Sequence, residues 1–186
     1  MYNIDYENKF DVIDIDPYGS MVPFIHSAFK AINNNGLLCI TSTDTKVLCG
    51  GDKHKCYYLY GSARDDNYNI QETGIRIVLN SLSRTAGQLS KSIKVLLCVH
   101  SEFYIRVFVQ VLHGKKEAWK SLGNNGLQFF CKDCHYVEHH NFGSSFNGEK
   151  YKPNQFIRPE SYCKSCNQGY ALSKIIRWSV VDQCTL

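Results

Sequence analysis

Two short runs in this chain have the residue types and spacing that do chemistry. Cys131-Lys-Asp-Cys134 and Cys163-Lys-Ser-Cys166 are paired cysteine turns separated by 28 residues. Each turn presents two sulfurs to one ion, and two turns complete a closed tetrahedral shell with Zn–S bonds of about 2.3 Å, so the expected site is structural zinc held by Cys131, Cys134, Cys163 and Cys166. A redox pair would open a helix in a thioredoxin-like β-α-β unit, and neither pair stands in such a place. His135, His139 and His140 follow the first pair and could replace one cysteine, although four thiolates already suffice.

The second run is Asp16-Pro17-Tyr18-Gly19, at the end of the apolar stretch Phe10-Asp-Val-Ile-Asp-Ile15. An exocyclic amine on a nucleobase is a poor nucleophile because its lone pair is delocalised into the ring. The Asp16 carboxylate and the Pro17 carbonyl could accept its N–H hydrogens, orient the nitrogen toward a methyl sulfonium and take up the proton as the bond forms. Tyr18 could stack on the face of an extruded base. The same four residues also make an ordinary tight turn after a strand, so on their own they leave both readings open.

The elements that must position these residues follow from periodicity. Residues 9–15 read as a buried strand that stops at Pro17. A helix is expected at 21–33, capped by Ser20, with Pro23 in its first turn and an apolar stripe of Val22, Ile25, Ala28, Phe29 and Ile32; Asn33-Asn-Asn-Gly36 ends it. Residues 37–41 form a second strand leading into Thr-Ser-Thr-Asp44, polar residues at a strand's carboxyl end where α/β sheets place ligands. Residues 45–68 read as irregular. A helix at 69–90 buries Ile75, Val78, Leu79, Leu82, Ala86 and Leu89, with Glu72 one turn before Arg76. Strands at 93–99 and 103–112 lie close enough in sequence to form an antiparallel hairpin at one edge of the sheet. A boundary falls near 114–116, a short strand at 126–130 leads into the first cysteine pair, and residues 135–162 are too polar for a core of their own, so the four cysteines must staple this part.

The chain has 186 residues, nine cysteines and a net charge of +4, enough for one sizeable core and an appendage, and mildly favourable to an anionic partner such as RNA. No apolar run approaches twenty residues and no leader pattern opens the chain, so neither a membrane span nor secretion is expected. Free thiols in this number suit an intracellular, reducing compartment, without separating nucleus from cytoplasm. Cys39, Cys49, Cys56, Cys98 and Cys184 read as small buried or loop thiols.

The blocks Phe10–Ser20, Gly36–Asp44, Val47–Gly50, Lys55–Tyr57, Tyr60–Ser62 and Tyr104–Val109, in this order, resemble the tRNA (guanine(26)-N(2))-dimethyltransferase family, with weaker similarity through the cysteine pairs to Trp178. The resemblance implies a class I methyltransferase sheet, Rossmann-like and closed by the antiparallel hairpin, over residues 1–114. A small zinc-stapled α+β domain that binds tRNA would follow over 115–186. It implies S-adenosyl-L-methionine as cofactor, with Asp16, Pro17 and Tyr18 at the catalytic strand end and Asp16 and Pro17 also meeting the cofactor. The family commonly has Phe where Tyr18 stands. Only nine residues precede the strand that carries the motif, and the Gly50-Gly51 pair lacks the strand-to-helix setting of a cofactor loop. The chain is therefore expected to be a C-terminal portion, inactive alone, with an unpaired edge on the strand at 9–15 that favours self-association. Two other readings remain: a noncatalytic zinc and RNA-binding module, and a zinc-ribbon interaction protein without an RNA role. RNA contacts are expected from Lys115, Lys116, Lys120, Lys150, Lys152, Arg158 and Lys164.

Overall fold

The computed structural model describes residues 9–62, 69–131, 133–146, 150–154, 162–168 and 176–179. Arg158 and Cys184 lie outside them. Strand β1 (Phe10–Ile15) and strand β2 (Ile32–Ser42) pair in parallel, joined by helix α1 (Val22–Ala31). Their register runs Val12 to Leu37 through Ile15 to Ile40 and shifts between Phe10 and Val12. That shift corrects one expectation. Asn33-Asn-Asn-Gly36 does not separate helix from strand, because β2 starts directly at Ile32 and absorbs the run as an irregularity with Asn35 at φ 64°. Side chains hold it there: Asn33 Nδ2 donates to Asp11 Oδ1 at 2.7 Å, and Asn34 Oδ1 accepts from the His113 N–H at 2.8 Å.

The hairpin is as expected. Strands β3 (Lys91–Ser101) and β4 (Tyr104–His113) pair antiparallel, turning at Glu102 (φ 40°) and Phe103, and the sheet order is β1-β2-β4-β3. Because β4 runs against both its neighbours, the carboxyl ends of β1, β2 and β3 share one edge of the sheet. Along β4, Ile105, Val107, Val109 and Val111 alternate into the core, where Ile25 and Phe29 of α1 join Val78, Leu79 and Leu82 of helix α4 (Ile70–Gln88). The Glu72–Arg76 pair forms, with Arg76 Nε donating to Glu72 Oε1 at 2.8 Å. Alternate residues Asp14, Thr41, Arg106 and Phe108 stand on the sheet's other face. Among the described residues β1 pairs with β2 alone and buries only Ile15; the strand expected to be buried instead leaves Phe10 and Val12 more than half exposed, because its outer edge has no neighbour among the described residues.

The segment after β2 is not irregular. Helices α2 (Thr45–Leu48) and α3 (Lys53–Tyr60) occupy it, the latter started by Asp52, whose carboxylate accepts from the Lys55 N–H at 3.0 Å, and ended by Gly61 at φ 66°. Helix α3 buries only Cys56 and Tyr60, one turn apart, so it lacks the apolar stripe by which a helix is read.

Past Gly114, helix α5 (Lys115–Asn124) replaces the expected polar boundary; it buries no residue fully, which is why periodicity missed it. Strands β5 (Asn125–Phe130), β6 (Val137–Asn141) and β9 (Ile176–Ser179) form an antiparallel sheet in the order β6-β5-β9. Strands β7 (Gly143–Phe146) and β8 (Lys150–Pro153) form a hairpin. Residues 135–162 thus hold three strands where none was expected, built on backbone pairing rather than apolar content. Helix α4 packs on β3, β9 and α5, α5 also meets β3, and Asn125 Nδ2 donates to the buried Ser83 Oγ of α4 at 3.2 Å. Among the described residues no helix is long and apolar enough to cross a membrane.

The close β5–β6 pairing depends on Gly126. A Cβ there would run into the carbonyl oxygen of His140 and lie 2.8 Å from the Asn141 Cα. Gly126→Ala should therefore lower the unfolding free energy by about 1–3 kcal/mol, measured by urea denaturation; unchanged stability would show that this sheet yields without cost.

Candidate functional site

The loop after β1 is tied to the end of β2 from both directions. The Gly19 N–H donates to Thr43 Oγ1 at 2.7 Å, and the Thr43 N–H donates to the Gly19 carbonyl at 2.9 Å. Gly19 stands at φ 89°, a left-handed conformation that favours glycine, so the turn after Tyr18 and the clamp to Thr43 depend on the same residue. A second tie runs through side chains. The Val22 N–H donates to Ser20 Oγ at 3.3 Å, Ser20 Oγ to the Tyr60 hydroxyl at 2.8 Å, and that hydroxyl to both Asp44 carboxylate oxygens at 2.8 Å. The expected Ser20 cap is corrected: Met21 stands at the N-cap without a side-chain bond, and Ser20 accepts only from the Val22 N–H two residues on. Burial pushes the Tyr60 phenol well above its ordinary pKa, helped by the charge of Asp44. Burial also raises the Asp44 carboxyl, against the opposing hydrogen bond from Tyr60.

The result is a firmly held rim from which the predicted residues project. Asp16 is exposed and accepts no hydrogen bond among the described residues; Pro17 is half-buried, and the Tyr18 side chain stands fully in solvent. Arg106 lies beneath on the open face of the sheet. Its Nη2 donates to Asp14 Oδ2 at 2.8 Å and its Nη1 to Thr41 Oγ1 at 2.6 Å, so one guanidinium ties β4 to both β1 and β2. The bonded Asp14 carboxylate holds Arg106 above its ordinary pKa, and Asp16 adds to the same field. Asp16, Pro17 and Tyr18 thus present a carboxylate, a carbonyl and an aromatic ring in consecutive positions of this loop. The exposed acceptor pair suits a cationic or N–H-bearing group arriving from solvent, which is the fit that a sulfonium cofactor and an amine require.

The four predicted cysteines come together. Their sulfurs lie within 4.8 Å of one another, with Cys131 to Cys166 at 3.6 Å and Cys134 to Cys163 at 3.5 Å. Bonds of about 2.3 Å to a central ion give a tetrahedron with edges of about 3.8 Å, so the donor set fits zinc. Burial works against ionising Cys163, but the Cys166 and Ser165 N–H groups and the neighbouring thiols outweigh it and bring its pKa down to about 6. The Gln168 N–H favours the Cys166 thiolate, yet burial and the three other thiols push that pKa up to about 12. One thiolate forms readily and the next is resisted by like charge, the conflict that a divalent cation removes. His135, His139 and His140 are not part of the cluster.

The predicted lysines divide. Lys115, Lys116 and Lys120 lie on α5 and Lys150 and Lys152 on β8, which packs beside it. Lys164 is elsewhere, donating to Glu138 Oε1 at 2.7 Å. Lys120 pairs with Glu117 at 2.6 Å. Sequence reasoning missed Thr43, Tyr60 and Arg106 as positioning residues. Thr43 lay in the polar run ending β2, and Tyr60 and Arg106 lay within the blocks Tyr60–Ser62 and Tyr104–Val109 of the family resemblance, but no positioning role was read from them.

A family model described as N2,N2-dimethylguanosine tRNA methyltransferase matches residues 1–173. The tRNA (guanine(26)-N(2))-dimethyltransferase of Mus musculus is 37% identical over 168 residues, covering 88% of this chain and 25% of that protein. The enzyme of the same description from Methanobrevibacter smithii is 41% identical over 133 residues, covering 72% of this chain and 34% of its own length. A solved complex of Trm1 from Pyrococcus horikoshii with S-adenosyl-L-methionine superposes with a TM-score of 0.69 at 27% identity, over 77% of this chain and 39% of that one. The chain thus spans roughly a quarter to two-fifths of the length of these relatives.

The half-buried Asp44 makes the rim sensitive to pH. Folding raises its pKa, so the folded state holds the proton more tightly than the unfolded chain, and stability falls as pH rises from the unfolded value through the folded one. As pH rises above the ordinary carboxylate range of about 4, wild type should lose stability relative to Asp44→Asn, followed by urea unfolding. Parallel pH profiles would contradict the assignment.

Proposed function

The chain belongs to the N2,N2-dimethylguanosine tRNA methyltransferase family, and from that premise we propose that it carries the amine-activating strand end and the RNA-binding part of such an enzyme. The observation that carries the reading is the strand end itself. Asp16 and the Pro17 carbonyl project unpaired from the carboxyl edge of the sheet, beside an exposed Tyr18, on a loop clamped to β2 by Gly19 and Thr43. The relative of known structure supports it with its bound S-adenosyl-L-methionine.

In this reading a guanosine of tRNA leaves its stack and lies against Tyr18, whose ring covers the base face. Its exocyclic N2 donates one hydrogen to Asp16 and one to the Pro17 carbonyl, which fixes the nitrogen and keeps its electron density pointing away from both acceptors. S-Adenosyl-L-methionine, which Asp16 and Pro17 would meet, supplies an electrophilic methyl group on a sulfonium. As the nitrogen's bond to the methyl carbon formed, the S–CH3 bond would break with its electron pair leaving on sulfur as S-adenosyl-L-homocysteine. The proton shed by the nitrogen would go to Asp16, the base placed to take it. Residues 1–114 carry this chemistry and residues 115–186 hold the tRNA, with the four cysteines closing around zinc.

Methyl transfer from labelled S-adenosyl-L-methionine to unmodified tRNA, in the protein carrying this chain, tests the site. Asp16→Asn should lose about 100-fold or more in rate while still binding tRNA; wild-type rates in this variant would remove Asp16 from the chemistry. For the metal, one zinc per chain is expected by elemental analysis. Cys163→Ser should lose it and unfold residues 115–186, because this part lacks an apolar core to hold it otherwise. Unchanged zinc and folding would end the metal assignment.

A further inference from the structure

Between α5 and β8 lies a cavity of about 520 Å³ with Trp119 and Leu122 on one side and Lys150, Tyr151 and Lys152 on the other. A second cavity of about 560 Å³ adjoins it, lined by Asn124, His139, Asn141, Ser144 and Asn154, and Tyr151 lines both. The shape is held by the chain. A Cβ on Gly123 would lie 2.9 Å from Tyr151 Cε1, so glycine there lets the tyrosine ring lie against the end of α5. The Asn154 side chain is fixed at the rim by its bond to the Asn141 carbonyl at 2.8 Å. Trp119 is half exposed, although a buried tryptophan would have served the packing of α5 better.

The composition selects a ligand. The first cavity has two flat aromatic side chains and two cations, the second has neutral amides, hydroxyls and imidazoles, and no carboxylate lines either. The complement of such a surface is a planar group carrying a negative charge at one end and donors and acceptors at the other. We propose that these adjoining cavities bind an unpaired nucleotide of the RNA, with its base against Trp119 and Tyr151, its phosphate between Lys150 and Lys152, and its ribose and base edge in the polar cavity. An acidic peptide would satisfy the lysines but leave the aromatic floor and the polar pocket without matching partners. This inference rests on the reading of the chain as tRNA-binding and adds the place where a nucleotide outside the target base is held, between α5 and β8.

Filter binding of tRNA to this chain, with tryptophan fluorescence recorded in parallel, tests it. Trp119 and Trp178 are the two tryptophans, so quenching that disappears in Trp119→Leu reports stacking at this position. Trp119→Leu should weaken binding about tenfold or more. The exposed double variant Lys150→Ala/Lys152→Ala does not touch the core; it should keep the wild-type unfolding curve and lower the slope of log affinity against log salt by about 2. Wild-type affinity, quenching and salt slope in both variants would overturn the groove, and would include the case in which it takes a peptide instead. Absence of tRNA binding by the wild-type chain would overturn the tRNA-binding reading beneath it.

Discussion

The two-way bond between Gly19 and Thr43 is the constraint on which the candidate active site depends. A loop after a parallel strand is ordinarily free to vary, but here the backbone of Gly19 both gives and receives a hydrogen bond at the end of the neighbouring strand. Tyr18 and Asp16 can stand in solvent without protein partners because the residues on either side of them are fixed: β1 below, and the Gly19, Ser20 and Tyr60 contacts beyond. Positioning by backbone at such a rim leaves the reactive side chains unoccupied, which is what a group that must meet a substrate requires. The Ser20–Tyr60–Asp44 relay extends the hold to α3, where a buried phenol serves as a strut rather than a proton donor to substrate.

Helix α4 joins this site to the rest of the chain. It supports the first sheet through β3 and also meets α5 and β9, with Asn125 bonded to its Ser83. The second part has few apolar residues, and its order comes from backbone pairing, the contact with α4 and the four-cysteine cluster. The four sulfurs lie within 4.8 Å of one another, a donor set whose spacing fits a tetrahedral zinc ion.

Much of this was legible in the sequence. The first strand, the α1 and α4 stripes and the closing hairpin followed from apolar spacing, and the Glu72–Arg76 pair from helix geometry. The paired cysteines announced their cluster because metal ligation demands short, exact intervals. The Asn33–Gly36 run misled because its side chains bond to both neighbouring strands, a tertiary effect that local turn preference does not contain. Helices α3 and α5 went unread because each buries too little to leave a stripe. Tyr60 and Arg106 were invisible as positioning residues because their partners lie 16 and 40 residues away in one case and 65 and 92 in the other. The combination of Trp119, Tyr151, Lys150 and Lys152 likewise exists only once α5 packs on β8.

The central claim is that Asp16 and the Pro17 carbonyl receive the exocyclic amine of a guanine. The most direct measurement is the structure of the protein carrying this chain bound to unmodified tRNA. The account predicts one guanine turned out of its stack, its N2 about 2.6–3.2 Å from the Asp16 carboxylate, with the Tyr18 ring on its face. A bound tRNA with every guanine stacked, or with its extruded base held elsewhere while Asp16 faces solvent, would contradict it.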